Sequence, residues 1–207
     1  MSILKICGVR DSSGVEISFS SGADLIGFNI YPASRRYIDP ERLPSLITPD
    51  IRLKSVIVGV NLSFEDWRGI IIKSSPGFVQ LHGEENMILC EQLKNDFVDL
   101  KIIKKVTVRD IMNFKTILQT ADYILLDSDT AEKGGSGISF NWEPLKEIPS
   151  VLRSKLFLAG GINPDNIGEA LSYDVYGFDS ATGSETAPGI KAAEKIRRMA
   201  EEIRDYG

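Results

Sequence analysis

Met1-Ser-Ile-Leu-Lys-Ile-Cys7-Gly8-Val-Arg10 contains a short apolar run that delivers a cysteine to its last position and then turns on a glycine. Read as a strand, the run puts Lys5 and Cys7 on one face and Leu4 and Ile6 on the other, because side chains alternate with a period of two. A lysine and a thiol therefore point together. A thiol at the end of a buried strand is either a packing residue or a positioned base. The same unit then recurs without close sequence repetition: a β-branched, apolar run, polar or glycine residues, and an amphipathic stretch. The strand-like runs are Ile3–Cys7, Asp24–Phe28, Lys54–Val60, Gly77–Leu81, Asp99–Lys105, Tyr123–Asp127, Lys155–Ala159 and Tyr176–Asp179. Helix boundaries are signalled by Ser63-Phe-Glu-Asp, by Asn163-Pro164-Asp-Asn, and by Pro188-Gly189 ahead of a long C-terminal helix. Asn141 to Lys146 reads as a short helix at best. Strict alternation calls for parallel strands with helical crossovers, and eight such units close into an α/β fold, a (β/α)8 barrel over residues 1–207 as one domain. An open doubly wound sheet fits less well, since there are eight strands and no dinucleotide glycine fingerprint.

Composition narrows the function classes. At 207 residues, 43% hydrophobic and 26% charged, the chain can bury a sizeable core. A formal net charge of -5 argues against a broad nucleic-acid surface. The densest basic run, Lys191 to Arg204, alternates with acids as a solvated helix face does. No apolar stretch is long enough to span a bilayer and no basic-then-apolar leader stands at Met1, so a cytoplasmic protein without a membrane partner is expected. Two cysteines, Cys7 and Cys90, cannot make a disulfide framework, which agrees with a reducing compartment. With His82 as the single histidine, a multi-histidine zinc site is excluded, and no metal site is expected.

In a (β/α)8 barrel the chemistry sits where strands end and the following loops begin. The unusual residues of this chain collect there: Cys7-Gly8, Ser34-Arg35-Arg36, His82-Gly83, Asp127-Ser128, Gly134-Gly135-Ser-Gly137, Gly160-Gly161 and Asp179 through Gly183. Gly160-Gly161 and the Thr182-Gly183-Ser184 turn, after adjacent strands, can offer closely approaching backbone N–H groups and so favour a phosphorylated small-molecule ligand.

These residues resemble one family nearly end to end, the phosphoribosylanthranilate isomerases of tryptophan biosynthesis. The resemblance runs through Lys5-Ile-Cys7-Gly8, Gly22-Ala-Asp24-Leu-Ile-Gly27-Phe28, Ser34-Arg-Arg36-Tyr, Val58-Gly59-Val60, Val79-Gln80-Leu81-His82-Gly83, Leu125-Leu126-Asp127, Gly134-Gly135-Ser-Gly137, Leu158-Ala-Gly160-Gly161 and Asp179 with Gly183 and Glu185. It implies a cofactor-free Amadori rearrangement of an aminoaldose phosphate, with Cys7 as the general base, Asp127 as the general acid, and Arg36 rather than Arg35 engaging a ring carboxylate by paired, charge-assisted hydrogen bonds. His82 and Asp179 are further expected substrate contacts, and Gly160, Gly161, Thr182, Gly183 and Ser184 the phosphate cradle, placed across the barrel mouth from Arg36. To act as a base Cys7 must ionise, which calls for nearby positive charge, whereas Asp127 must retain a proton. Lys5 has two readings: a contributor to the thiolate, or the partner of an inward carboxylate such as Asp24. His82 equally suits a hydrogen-bonded residue shaping the mouth of strand four, Asp127 a turn or cap, and Cys90 a core filler.

The chain departs from the family pattern at Ala181, where a hydroxyl is usual, at Asn141, where an aspartate is usual, and at Asn61, where a phenylalanine is usual. The related histidine-pathway isomerase is a weaker match, since it uses an aspartate where Cys7 stands and binds a bis-phosphate through internally repeated sites. A non-catalytic phosphosugar-binding barrel would lack a competent acid–base pair. A monomer and a homodimer are both compatible with the sequence.

Overall fold

The computed structural model describes residues 2–107, 113–127 and 142–207. Eight parallel strands close into a barrel in sequence order: β1 (Ile3–Cys7), β2 (Leu25–Asn29), β3 (Ser55–Gly59), β4 (Phe78–Leu81), β5 (Lys101–Val106), β6 (Tyr123–Leu126), β7 (Leu156–Leu158) and β8 (Gly177–Ser180). Each lies within two residues of the run expected from the sequence. The crossovers carry α1 (Ser12–Ser20), α2 (Leu43–Leu46), α3 (Phe64–Ser74), α4 (Met87–Asp96), α5 (Phe114–Ile117), α6 (Ser150–Arg153) and α7 (Ile167–Leu171), and α8 (Ala193–Tyr206) ends the chain. The signalled start at Ser63 is a true cap: its hydroxyl accepts from the Asp66 amide and donates to the Asp66 carboxylate. The Asn141–Lys146 connection gives a 3-10 helix over Glu143–Glu147 ahead of α6. No helix of the described residues is long and apolar enough to cross a membrane.

One expected helix start is different. Pro188-Gly189 does not open α8 but turns a β-hairpin, β9 (Glu185–Ala187) against β10 (Ile190–Lys191), and α8 begins only at Ala193. Gly189, at φ +83, supplies the left-handed residue that this turn requires, and its N–H donates to the buried Glu185 carboxylate. Lys191 accordingly leaves the solvated basic face read from the sequence and is buried.

The strand period builds two cores. Leu4, Ile6, Ile26, Phe28, Ile57, Val79, Leu81, Ile102, Ile124, Leu126, Leu156 and Phe178 face outward and pack beneath the helices; α8 completes that layer with Ile196, Met199, Ala200 and Ile203, one stripe at helical spacing. Leu25, Val56, Val58, Ile103, Leu125, Phe157 and Ala159 fill the barrel with Cys7. At the N-terminal end the rings of Phe78, Tyr123, Phe157 and Tyr176 pack with centroids 4.5–6.2 Å apart and plug the floor.

Two strand starts are pinned by the same device. Asp24 accepts the amide of Leu4 at 2.8 Å while its own amide donates to the Leu4 carbonyl. Four strands further round, Asp122 accepts the amide of Ile102 at 2.8 Å and donates back to the Ile102 carbonyl. Each carboxylate satisfies a strand amide that burial would otherwise leave costly. Asp24→Ala and Asp122→Ala are each expected to lower unfolding free energy by about 1–3 kcal/mol, with Asp122→Ala the larger because Lys94 also loses its partner. Urea denaturation measures both; stabilities equal to the parent protein would show that these carboxylates do not secure the seams.

Candidate functional site

The barrel axis holds the first cluster. Lys5, entirely buried, donates to Asp179 Oδ1 at 2.6 Å. Its partner is therefore not Asp24, which serves the Leu4 amide. Lys5 and Cys7 share the inward face of β1 and both border Gly27, so ammonium, thiol and carboxylate form one cluster. Room for it comes from Gly27 on β2, in register with Cys7: a Cβ there would stand 2.9 Å from Cys7 Sγ and 3.4 Å from Lys5 Nζ. Burial pushes the Cys7 thiol up, and the attraction of Lys5 does not reverse it. The expected cation is thus present beside the thiol, yet the thiol is not ionised by it in the unliganded site.

Arg36 forms the second cluster. Its Nε and Nη2 donate to both oxygens of Glu185 at 2.7–3.0 Å, and Nη2 reaches the Thr182 hydroxyl at 3.0 Å. Glu185 also receives Lys191 Nζ at 2.8 Å, and Lys191 donates to the Cys7 carbonyl. Burial opposes ionisation of Glu185, but Arg36 and Lys191 outweigh it and hold the carboxyl below the usual range. Gly8, at φ +79, is what lets Arg36 cross over the end of β1, since a Cβ would lie 2.3 Å from Arg36 Cδ. These contacts correct one expectation: Arg36 is not across the mouth from the loop after β8 but bonded to it.

On the far wall Gln80 Nε2 lies 2.7 Å from His82 Nδ1, and His82 Nε2 lies 3.7 Å from Asp127 Oδ2. With the Gln80 amide in this orientation Nδ1 accepts, so the ring proton resides on Nε2, on the side of Asp127. The Oε1 atom of Gln80 is buried without a partner among the described residues. Burial lowers the His82 pKa to about 4 despite the nearby Asp179 carboxylate. His82 is therefore a neutral, hydrogen-bonded residue at the mouth of β4, touching the region of the acid candidate.

The loops after β7 and β8 interlock. Gly160 and Gly161 both take left-handed conformations, at φ +81 and +92. Ser180 Oγ donates to the Ile162 carbonyl, and Gly183 packs so closely on that carbonyl that a Cβ would meet it at 2.0 Å. Ser184 is fully buried, and both its hydroxyl and its amide point to the Ala181 carbonyl. Its expected place in an anion cradle is corrected accordingly: Ser184 supports the loop from behind. Gly183 likewise is required by contact between the two loops, so a bulky residue there would break the loops apart rather than merely obstruct a ligand. Gly160, Gly161, Thr182 and Gly183 remain at the accessible surface. Ser128, Gly134-Gly135-Ser-Gly137 and Asn141 lie outside the described residues.

Glu185, Lys191 and Gly27 carry the site as much as the residues read from sequence do. A glycine inside an apolar strand is a visible sign of close approach. Glu185 stood in the sequence as one residue of the family pattern, but its role left no sign, because its partner Arg36 is 149 residues away.

A closed parallel barrel with a thiol, three carboxylates, an arginine and paired glycine loops toward its C-terminal mouth has the architecture of a (β/α)8-barrel enzyme. The family model described as N-(5'phosphoribosyl)anthranilate (PRA) isomerase matches residues 4–202. An N-(5'-phosphoribosyl)anthranilate isomerase of Geotalea uraniireducens is 32% identical over 205 residues, covering 96% of this chain and 97% of its own. Among solved structures, the phosphoribosyl anthranilate isomerase of Thermotoga maritima superposes with a TM-score of 0.83 at 32% identity, covering 99% of this chain and all of the other. A further isomerase of the family, in complex with reduced 1-(o-carboxyphenylamino)-1-deoxyribulose 5-phosphate, gives 0.82 at 29% identity and the same coverage. The chain belongs to the N-(5'-phosphoribosyl)anthranilate isomerase family.

A lone histidine makes the electrostatics directly measurable. The ring signals of His82 in a proton NMR titration are expected to move with a midpoint near pH 4 and to stay flat between pH 6 and 8. Because the folded pKa lies below the unfolded one, the unfolded chain binds the proton more readily, and this group lowers stability as pH falls from about 6.5 toward 4. A midpoint above 6 would mean that the ring is solvated rather than enclosed.

Proposed function

We propose that the chain catalyses the Amadori rearrangement of N-(5-phosphoribosyl)anthranilate to 1-(2-carboxyphenylamino)-1-deoxyribulose 5-phosphate in tryptophan biosynthesis, with Cys7 as general base and Asp127 as general acid. The observation that supports this reading is a thiol at the end of β1 and, just after β6, a carboxyl 3.7 Å from His82 Nε2, each at a strand end of a barrel of this family. Asp127 gives its proton to the furanose ring oxygen as the bond from that oxygen to C1 breaks, leaving an iminium cation between C1 and the anthranilate nitrogen. Cys7, which releases its proton to solvent once the iminium has formed and regains it after turnover, then removes as thiolate the proton on C2; the electron pair forms the C1–C2 double bond and neutralises the iminium nitrogen. The Cys7 thiol returns that proton at C1 of the resulting enolamine, while the C2 hydroxyl gives its own proton to the Asp127 carboxylate and becomes the ketone. Atoms and charge balance without a cofactor.

The buried thiol fits this order of events. A thiol that ionises reluctantly in the empty site acquires a new cation, the iminium, only after ring opening, so base strength rises when it is needed. The anthranilate carboxylate is assigned to Arg36, already oriented by Glu185, and the phosphate to the exposed amides of Gly160, Gly161, Thr182 and Gly183. His82 and Asp179 are assigned contacts to the substrate between these ends.

Cys7→Ala and Asp127→Asn are each expected to lower turnover at least 10²-fold in folded protein, because each removes a proton-transfer group. Anthranilate fluorescence follows the reaction, and near-parental turnover in either variant would remove that residue from its role. Arg36→Met should raise KM by roughly one to two decades, the loss of about 1.5–3 kcal/mol from paired charge-assisted bonds, whereas Arg35→Met should not. A silent Arg36→Met beside a damaging Arg35→Met would transfer the carboxylate contact to Arg35.

A further inference from the structure

Among the described residues, Lys5 is a fully buried ammonium set beside two groups that can be anionic, Cys7 and Asp179. Lys5 is enclosed completely, and its Nζ donates at 2.6 Å to Asp179 Oδ1, with Cys7 two residues on along the same inward face. Asp179 reaches it because β8 sets the two residues side by side in register. The other cations that face Cys7, Lys191 from β10 and Arg36 from the loop after β2, share the one Glu185 carboxylate and so keep a net positive charge on that side. The Lys5 ammonium, on the same strand face as Cys7, is the cation with the largest pull on its proton, and a carboxylate already engages it.

We propose that Asp179 is a positioning residue for the base: by holding the Lys5 ammonium, it keeps Cys7 a neutral thiol in the empty barrel until a cationic reaction intermediate arrives. The upward push on the Cys7 thiol, to which Asp179 contributes after burial, agrees with this arrangement. The second half of the inference rests on the isomerase reading, since the cation in question is the iminium. The first half concerns the unliganded protein and is testable without substrate. Keeping the group a thiol in the absence of substrate also spares it from oxidation and alkylation, which require the thiolate.

The test is an NMR pH titration of protein labelled with [3-13C]cysteine, with the Cys90 resonance identified by a Cys90→Ala variant. For Asp179→Asn the Cys7 midpoint is expected to fall by at least one pH unit, giving about tenfold more thiolate at a fixed pH below it. Adding Lys5→Met to Asp179→Asn should raise the midpoint above that of the parent protein, because the ammonium is what Asp179 releases. An unchanged or higher midpoint in folded Asp179→Asn overturns the proposal. So does a lowered midpoint that persists in the double variant, since it would reflect direct repulsion by Asp179 without Lys5. If Asp179→Asn does not fold, the double variant, which leaves no unpaired buried charge, decides alone: a midpoint above the parent supports the proposal and one below it overturns it. Loss of isomerase activity in all proteins, with these midpoints as expected, would count against the reaction and not against the pairing.

Discussion

Lys5 cannot remain inside the barrel unpaired, and that constraint bears on the closure of the fold and on its chemistry together. An ammonium without solvent access needs a carboxylate, and removing one partner of such a buried pair costs about 3–5 kcal/mol. Asp179 meets it across the contact between β1 and β8, the seam at which the last strand returns to the first. A one-residue slip there would send Asp179 outward and bring the apolar Phe178 or the short Ser180 to face Lys5. The pair thus favours the register that closes the ring. The same register sets Cys7 two residues above Lys5 on the same face, so the condition for closing the barrel also fixes the surroundings of the thiol.

A second constraint is added by the hairpin after β8. Glu185 and Lys191 stand on its two strands, and between them they take hold of Arg36 and the Cys7 carbonyl. The guanidinium assigned to the substrate carboxylate is thereby tied to the strand that bears the base. Gly8 is indispensable to this link, combining a left-handed backbone with an absent Cβ where Arg36 passes. The loops after β7 and β8 are locked in a comparable way by Ser180, Gly183 and the Ile162 carbonyl. The accessible surface of the site is consequently backed by buried polar contacts, an arrangement that reduces the ordering cost of binding a charged ligand.

The strands were legible because their signal is local. A run such as Ser55–Gly59 is buried on both faces and reads as continuous apolar sequence, bounded by polar residues that end it. A cap residue such as Ser63 acts within three positions of itself. Pro188-Gly189 was misleading for a related reason: the dipeptide marks a change of direction, and whether a helix or a hairpin follows depends on what β9 and β10 can bury. What drew Lys191 inward was Glu185, itself fixed by Arg36.

Taken alone, the sequence determined the alternation of strands and helices, the face shared by Lys5 and Cys7, and the strand ends at which reactive residues gather, since these follow from periodicity and chain order. Tertiary structure alone decided which charges meet. Lys5 chose Asp179 over Asp24, Arg36 engaged Glu185 and Thr182, Ser184 turned from the surface into the loop, and His82 lost its affinity for a proton. The physical reason is that ionisation and pairing depend on distance and on exclusion of water. Both arise only when strands far apart in sequence close around a common interior.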